Sequence, residues 1–130
     1  MATFDELRSL LRTTYALDSD DGDSLALTLP LTDGRSRRAQ RVMVQRFAAY
    51  GQEMLEVRSA FGELAPGESE DLLTENLKLP LGAVALHGRY LVLVQKMPLE
   101  HTSLDGVLFL LTRVAELADV LEERRGGDRF

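Results

Sequence analysis

The chain has 130 residues, 45% of them hydrophobic, with no cysteine and a formal net charge of −6 at pH 7. This length and composition predict one globular domain with a real core, and they exclude a disordered polypeptide, disulfide bonds and thiolate chemistry. The acidic balance argues against general nucleic-acid binding, because the phosphate backbone attracts positively charged proteins.

No apolar run approaches the roughly 18–20 residues that a membrane-spanning helix needs. The N-terminus carries acids where a signal peptide would carry basic residues. We therefore expect a soluble, cytoplasmic protein that contacts no membrane, with one domain over residues 1–125 and a disordered tail over 126–130.

The chain begins with a predicted helix, because Thr3 followed by Glu6 has the spacing of a capping box. Five apolar side chains recur at helical spacing and give this helix one apolar face: Phe4, Leu7, Leu10, Leu11 and Tyr15. The helix is predicted to end before the acidic run at 18–23, whose composition is typical of a turn.

Three strands are predicted next. Leucines alternate with other residues over 25–31, which indicates a half-buried strand, and Pro30 makes it an edge strand or marks its end. Further strands are predicted over 41–47 and 54–59, joined by a tight connection at 50–52. Short connections between successive strands indicate an antiparallel meander.

The second half predicts a helix over 68–77 and then two strands that turn at 87–89. Both faces of these two strands are apolar, so both need a cover. Self-association is the simplest cover for the second face, and the alternative is a monomer whose own core absorbs it. A long amphipathic helix follows to about Glu123, capped by Thr102 or Ser103. The predicted fold is α+β, in the order α-β-β-β-α-β-β-α, with helices packed on an antiparallel sheet.

No motif in the sequence predicts catalysis. The acidic run at 18–23 does not fit a calcium loop, because placing Gly22 at the glycine position puts Leu17 and Thr28 at ligand positions. His87 and His101 lack the spacing of a metal site, and both are predicted to lie on the surface. We therefore expect no enzyme activity, no catalytic residue, no metal ligand and no cofactor.

Residues 34–46 carry a run of arginines without an acid: Arg35, Arg37, Arg38, Arg41 and Arg46. One interpretation is a solvated loop followed by an edge strand that charge protects from pairing. The other is a docking patch for an acidic partner, centred on Arg35, Arg37 and Arg38, or a weak contact with phosphate.

The central apolar stretch resembles that of class I type III secretion chaperones and of the related YbjN-like bacterial proteins. The residues that carry the resemblance are Leu72-Leu73-x-x-Asn76, Gly82-Ala83-x-Ala85-Leu86, Leu91-Val92-Leu93, Met97-Pro98-Leu99, Leu104, Leu108, Leu111 and Ala118. The resemblance implies a homodimeric, non-catalytic protein that holds a partner segment over apolar patches and exposed strand edges. It also implies that the Asn76 side chain ties the end of its helix to the next strand.

Candidate residues follow from these considerations. The candidate dimer interface comprises Leu72, Leu73, Leu77, Val84, Leu86, Val92 and Val94. The candidate partner-binding residues are Phe4, Leu7, Leu11, Leu25, Leu27, Arg35, Arg37 and Arg38. The expected function is a chaperone-like adaptor for a bacterial protein in stress response or repair. The alternatives are a chaperone for a type III secretion effector, and a small enzyme or ligand-binding domain with a cavity between sheet and helix.

Overall fold

A computed structural model describes residues 2–32 and 37–126, except for the side chains of 32 and 37. Within this part, three helices accompany a six-stranded antiparallel sheet, so the predicted α+β class is confirmed. In chain order the elements are α1 (Phe4–Thr14), β1 (Leu17–Asp20), β2 (Ser24–Thr32), β3 (Arg37–Ala49), β4 (Gln52–Glu63), α2 (Ser69–Asn76), β5 (Ala83–His87), β6 (Tyr90–Pro98) and α3 (Leu104–Arg124). The strands lie in the order β1-β2-β3-β4-β6-β5.

Strand β1 was not predicted and corrects the element order. Part of the run assigned to a turn pairs with β2, with Leu17 opposite Leu27 and Asp20 opposite Leu25. Its single apolar residue shows no alternation, so the sequence carries no signal for a strand there. β2 is therefore an inner strand where β1 pairs with it. Pro30 lies beyond the end of β1, so its missing N–H removes no hydrogen bond between β1 and β2.

The hairpin of β3 and β4 has a two-residue turn and longer strands than the sequence predicted. Tyr50 and Gly51 have φ angles of 55° and 70°, as a two-residue hairpin turn requires, and the predicted tight connection is confirmed. Both strands extend beyond the residues that the alternation covered. There the buried Gln40 amide donates to Ser59 Oγ and to the carbonyl of Ala60, both at 2.9 Å, and joins the two strands.

The helices begin where their caps predicted. Thr3 Oγ1 accepts from the Glu6 N–H at 3.2 Å, and Ser103 Oγ accepts from the Gly106 N–H at 3.0 Å. α1 and α3 bury their apolar stripes against one face of the sheet, and Leu72 of α2 packs against the same core. The opposite face of the sheet, here called the open face, is covered by no described helix.

Asn76 ties the end of α2 to β5, as the resemblance implied. Its Nδ2 donates to the Val84 carbonyl at 3.2 Å, and its Oδ1 accepts from the Val84 N–H at 2.5 Å. β5 is the last strand of the sheet, so this amide occupies backbone groups that would otherwise be free for another chain.

Across the described residues, no helix is both long and apolar enough to span a membrane.

Candidate functional site

The outer side of α3 leaves an apolar groove in contact with water. The apolar stripe of α3 is wider than its contact with the sheet, so Phe109 and Val120 stay 57% and 40% exposed. With Leu117 they face Pro80 and Leu81, from the segment after α2. We call this surface the α3 groove.

Charged side chains form the rim of the α3 groove. Arg113 and Glu116 line it together with the apolar residues. The Arg113 guanidinium lies 5.3 Å from the centre of the Phe109 ring and 2.8 Å from a Glu116 carboxylate oxygen. This cation–π contact restrains a ring that stays 57% exposed.

A second exposed apolar surface, the α2–β5 patch, consists of Leu73, Leu77 and Leu86. α2 turns Leu72 and Asn76 toward the core and β5, which leaves Leu73 and Leu77 together on an adjacent side of the helix. The three patch leucines are 71%, 91% and 52% exposed. These exposed leucines lie on or next to two elements that Asn76 bonds to each other, and the described chain leaves them uncovered.

An ion pair fixes the start of α2 to the end of α3. Arg125 donates from Nη1 and Nη2 to both Glu68 oxygens, at 2.9 and 2.8 Å, and from Nη2 to the Glu63 carbonyl at 2.6 Å. A Cβ at Gly62 would lie 2.5 Å from Arg125 Nε, so the glycine leaves room for this side chain. Hydrogen bonds from Arg125 and from the Ala65 N–H lower the pKa of Glu68 from 4.5 to about 2.

The lowered pKa of Glu68 makes part of the stability dependent on pH. A carboxyl with a depressed folded-state pKa stabilises the fold above its unfolded pKa of 4.5, and that contribution is lost as the pH falls toward 2. We expect Glu68→Gln to lower the free energy of unfolding by about 1–2 kcal/mol at pH 7, since both partners are partly in water. Urea unfolding of both proteins at pH 7 and at pH 2 measures this difference.

The same measurement on Glu70→Gln provides the control. Glu70 lies in the first turn of the same helix and is exposed. Its substitution should change the free energy of unfolding by less than about 0.5 kcal/mol at either pH. An equal loss at pH 7 and pH 2 in Glu68→Gln would contradict the assigned ion pair.

The open face carries a shallow trough with a cationic rim. Two adjoining hollows share Arg58, His87 and Val92 and together cross four strands, from β3 to β5. Small and apolar side chains form the floor, among them Ala60 and Val92. The rim carries Arg41, Arg58, His87 and Lys96. We call this surface the open-face trough.

One acid, Glu56, lies among these side chains. Arg58 Nη1 donates to Gln45 Oε1 at 3.0 Å and to Glu56 Oε2 at 2.5 Å, while Lys96 Nζ lies 3.7 Å from the same carboxylate. Among the described residues, no ion pair or side-chain hydrogen bond is made by Arg41 or His87. The trough therefore keeps excess positive charge.

Five candidate partner-binding residues lie in the core instead of on the surface: Phe4, Leu7, Leu11, Leu25 and Leu27. Each is 0–1% exposed, because α1 lies against the sheet. A partner would reach them only if α1 left the sheet, so the partner-binding surface must be sought elsewhere. The pattern that suggested them is the ordinary pattern of an amphipathic helix on a half-buried strand.

The arginine run is divided among different contacts. Arg38 bonds Asp119 and Glu123 of α3, at 2.9 and 3.2 Å, and thereby joins β3 to the helix above it. Arg46 lies over the Phe4 ring. Arg35 and the side chain of Arg37 lie outside the described residues. Arg38 therefore has a structural role, the ion pairs with α3, in addition to the docking role predicted for it.

The candidate dimer residues fall on two sides of the sheet. Leu72, Leu73 and Leu77 lie in or next to α2, and Val84 packs against the same core. Val92 and Val94 lie on the open face, and Leu86, two residues after Val84 on β5, also lines a hollow there. Val92 is only 6% exposed within one chain, so its neighbours already cover it without a second copy. The α2–β5 patch is the part of the set that remains in water.

The acidic run makes contacts within the chain. Asp20 pairs with Arg8 and Arg12 at 3.0 and 2.8 Å, and Asp23 pairs with Arg46 at 2.9 Å. The Gly22 N–H and the two arginines lower the pKa of Asp20. Both histidines are exposed, as predicted, and the described residues contain no cluster of three or more side chains suited to hold a metal ion.

Sequence reasoning missed the α3 groove and the open-face trough as sites. Phe109 and Val120 belong to an apolar stripe on α3 that is wider than a minimal helical seam, and that width is the sequence signal that some of it must face away from the sheet. Arg41, Arg58 and His87 are far apart in sequence. Only the strand order brings them to one face, so no sequence signal could have joined them.

The sequence matches no model of a protein family, and a comparison with curated proteins finds no match.

Proposed function

We propose that the chain is a non-catalytic protein-binding module, a homodimeric chaperone-like adaptor for another bacterial protein. The observation that carries the proposal is the exposure of five large apolar side chains on elements that touch one another: Leu73, Leu77, Leu86, Phe109 and Val120, 40–91% exposed. Single exposed apolar residues are normal, whereas neighbouring ones mark interaction surfaces.

The arrangement of the fold supports a chaperone-like assignment. Helices on one face of an antiparallel sheet, with a long amphipathic helix at the C-terminus, agree with the resemblance to class I type III secretion chaperones and YbjN-like proteins. The additional strand β1 departs from the order that the resemblance implies. A partner in stress response or repair remains our proposal for the pathway.

The two apolar surfaces suit different roles. The α2–β5 patch is aliphatic and exposed, which suits a symmetric contact between two copies of the chain. The α3 groove has an aromatic side chain, a concave shape and a charged rim, which are properties of a partner-anchoring site. Strand addition at β5 is disfavoured, because Asn76 occupies the backbone groups of Val84.

Oligomeric state tests the first role. Light scattering at micromolar concentration should report a dimer of 14.5 kDa chains for the wild type and a monomer for the Leu73→Glu, Leu77→Glu double variant. Tyr50→Asn is the matched control, because Tyr50 is 96% exposed but lies in the β3–β4 hairpin. This control should stay dimeric. A wild-type mass of 14.5 kDa would reject the dimer.

Affinity purification from the native organism, with the same variants, tests the second role. Tagged wild type and Tyr50→Asn should retain one protein in common, and Phe109→Ser should lose it, because the anchor of the α3 groove is gone. Retention of that protein by Phe109→Ser would remove the groove from the proposal. Recovery of a small molecule and no protein would overturn the proposed function.

A further inference from the structure

The open-face trough differs in charge from the rest of the molecule. The chain has a net charge of −6, yet the trough is lined by Arg41, Arg58, His87 and Lys96 with Glu56 as its acid. Glu56 is already bonded to Arg58 and paired with Lys96. Arg41 has no ion-pair partner among the described residues, so its charge is available to a ligand. Charge complementarity therefore selects an acidic occupant.

The floor of the trough indicates that the occupant also has apolar groups. Ala60 and Val92 lie between the charged side chains, and Met43 forms one wall. Small side chains on neighbouring strands leave a depression that a backbone with short apolar side chains would fill. A purely polar anion would leave this apolar floor without a contact.

The length of the trough favours a chain segment over a compact small molecule. It crosses β3, β4, β6 and β5, three spacings between strands, or about 14 Å. An extended segment of about four residues spans that distance. Compact small molecules bind in pockets that bury most of their surface, which a shallow trough does not do.

We propose that the open-face trough binds an extended, acidic segment of the partner protein, with its carboxylates on Arg41 and His87 and short apolar side chains on Ala60 and Val92. The proposal rests on the proposed function, since it names the chemistry of the segment that the adaptor recognises. The segment comes from another protein and not from a second copy. In this chain the acids of the run at 18–23 already have partners within the chain: arginines pair with Asp20 and Asp23, and hydroxyl groups donate to Asp18 and Asp21.

A labelled peptide tests this recognition directly. Fluorescence anisotropy would follow a fluorescein-labelled peptide with the repeat Glu-Glu-Val-Val, which presents both glutamate and valine on one face of an extended chain. A counterpart has glutamine in place of glutamate, and both peptides are titrated with the full chain. We expect the glutamine peptide to bind at least about tenfold more weakly, because charge-assisted hydrogen bonds are lost. Amide shifts in NMR should concentrate at Ala60 and Val92.

Matched variants separate the trough from other surfaces. Arg41→Gln should weaken binding of the glutamate peptide about tenfold and leave binding of the glutamine peptide unchanged. Arg113→Gln, on α3 and away from the open face, should change neither. Arg41 is exposed, so its variant is expected to fold, and its circular dichroism spectrum should equal that of the wild type.

Four outcomes would overturn the proposal. The first two are equal affinity for the two peptides and an unchanged affinity in Arg41→Gln. The others are displacement of the peptide by inorganic phosphate at the same concentration, and competition between peptide binding and self-association of the protein. Phe109→Ser should bind the peptide as the wild type does. Since this variant loses the partner if the proposed function holds, failure of the trough and failure of the α3 groove are distinguishable.

Discussion

Replacing Phe4 with alanine is expected to lower the free energy of unfolding by about 3–5 kcal/mol. The Phe4 side chain is 1% exposed in the core beneath α1. The guanidinium groups of Arg8 and Arg46 lie 5.1 and 4.9 Å from the centre of its ring. The substitution would leave a cavity under α1 and remove the aromatic face that both arginines contact.

Urea unfolding compares this variant with Phe109→Ala, the same substitution at an exposed ring. Phe109 is 57% exposed, so its loss should cost less than about 1 kcal/mol. The two phenylalanines thus separate stability from partner binding. A loss below 1 kcal/mol in Phe4→Ala would mean that α1 packs weakly and would return its apolar face to the candidates for partner binding.

Local rules explain which parts of this fold the sequence predicts well. The caps at Thr3 and Ser103 and the turn at Tyr50–Gly51 depend on a few neighbouring residues, and each formed where it was expected. The stripe of α3 repeats over 21 residues, long enough for the helical period to be unmistakable. Such elements are encoded by contacts close in sequence, which a reading along the chain can evaluate.

Features that depend on tertiary neighbours were not predictable in the same way. β1 forms because β2 offers a free edge, and its own residues carry no strand signal. Val92 looked like part of an uncovered second face, but residues on adjacent strands reduce its exposure to 6%. Arg38 looked like part of a loop patch, and its acidic partners lie about eighty residues later, on α3. Periodicity shows which side chains are apolar or charged, not which ones are already covered or paired.

The same distinction determines where the proposed functional surfaces lie. The sequence pointed to the apolar face of α1, which is buried in the core of the chain itself. The surfaces that remain exposed are those that the core does not bury. They are the outer side of α3, the exposed side of α2 and the open face of the sheet. A side chain is available to a partner only after the core, the caps and the internal ion pairs have been satisfied.

Replacing Asn76 with alanine is expected to lower the free energy of unfolding by about 2–3 kcal/mol. The substitution leaves the Val84 N–H and carbonyl without the side-chain amide that now bonds both, in a partly buried position. It also frees backbone groups at the last strand of the sheet. Hydrogen exchange at the Val84 amide should accelerate more than exchange in β4 at the centre of the sheet, because β5 opens locally first.

Two further variants define how much of this effect belongs to the amide. Thr74→Ala, in the same helix but exposed, should change stability by less than about 0.5 kcal/mol. Asn76→Asp keeps an acceptor for the Val84 N–H but places a carboxylate against the Val84 carbonyl, so it should be destabilised at pH 7.

If the alanine variant also forms larger assemblies at concentrations where the wild type does not, Asn76 protects the β5 edge from pairing. Unchanged exchange at Val84 in the alanine variant would show that strand pairing with β6 alone holds β5, and would contradict the role assigned to Asn76.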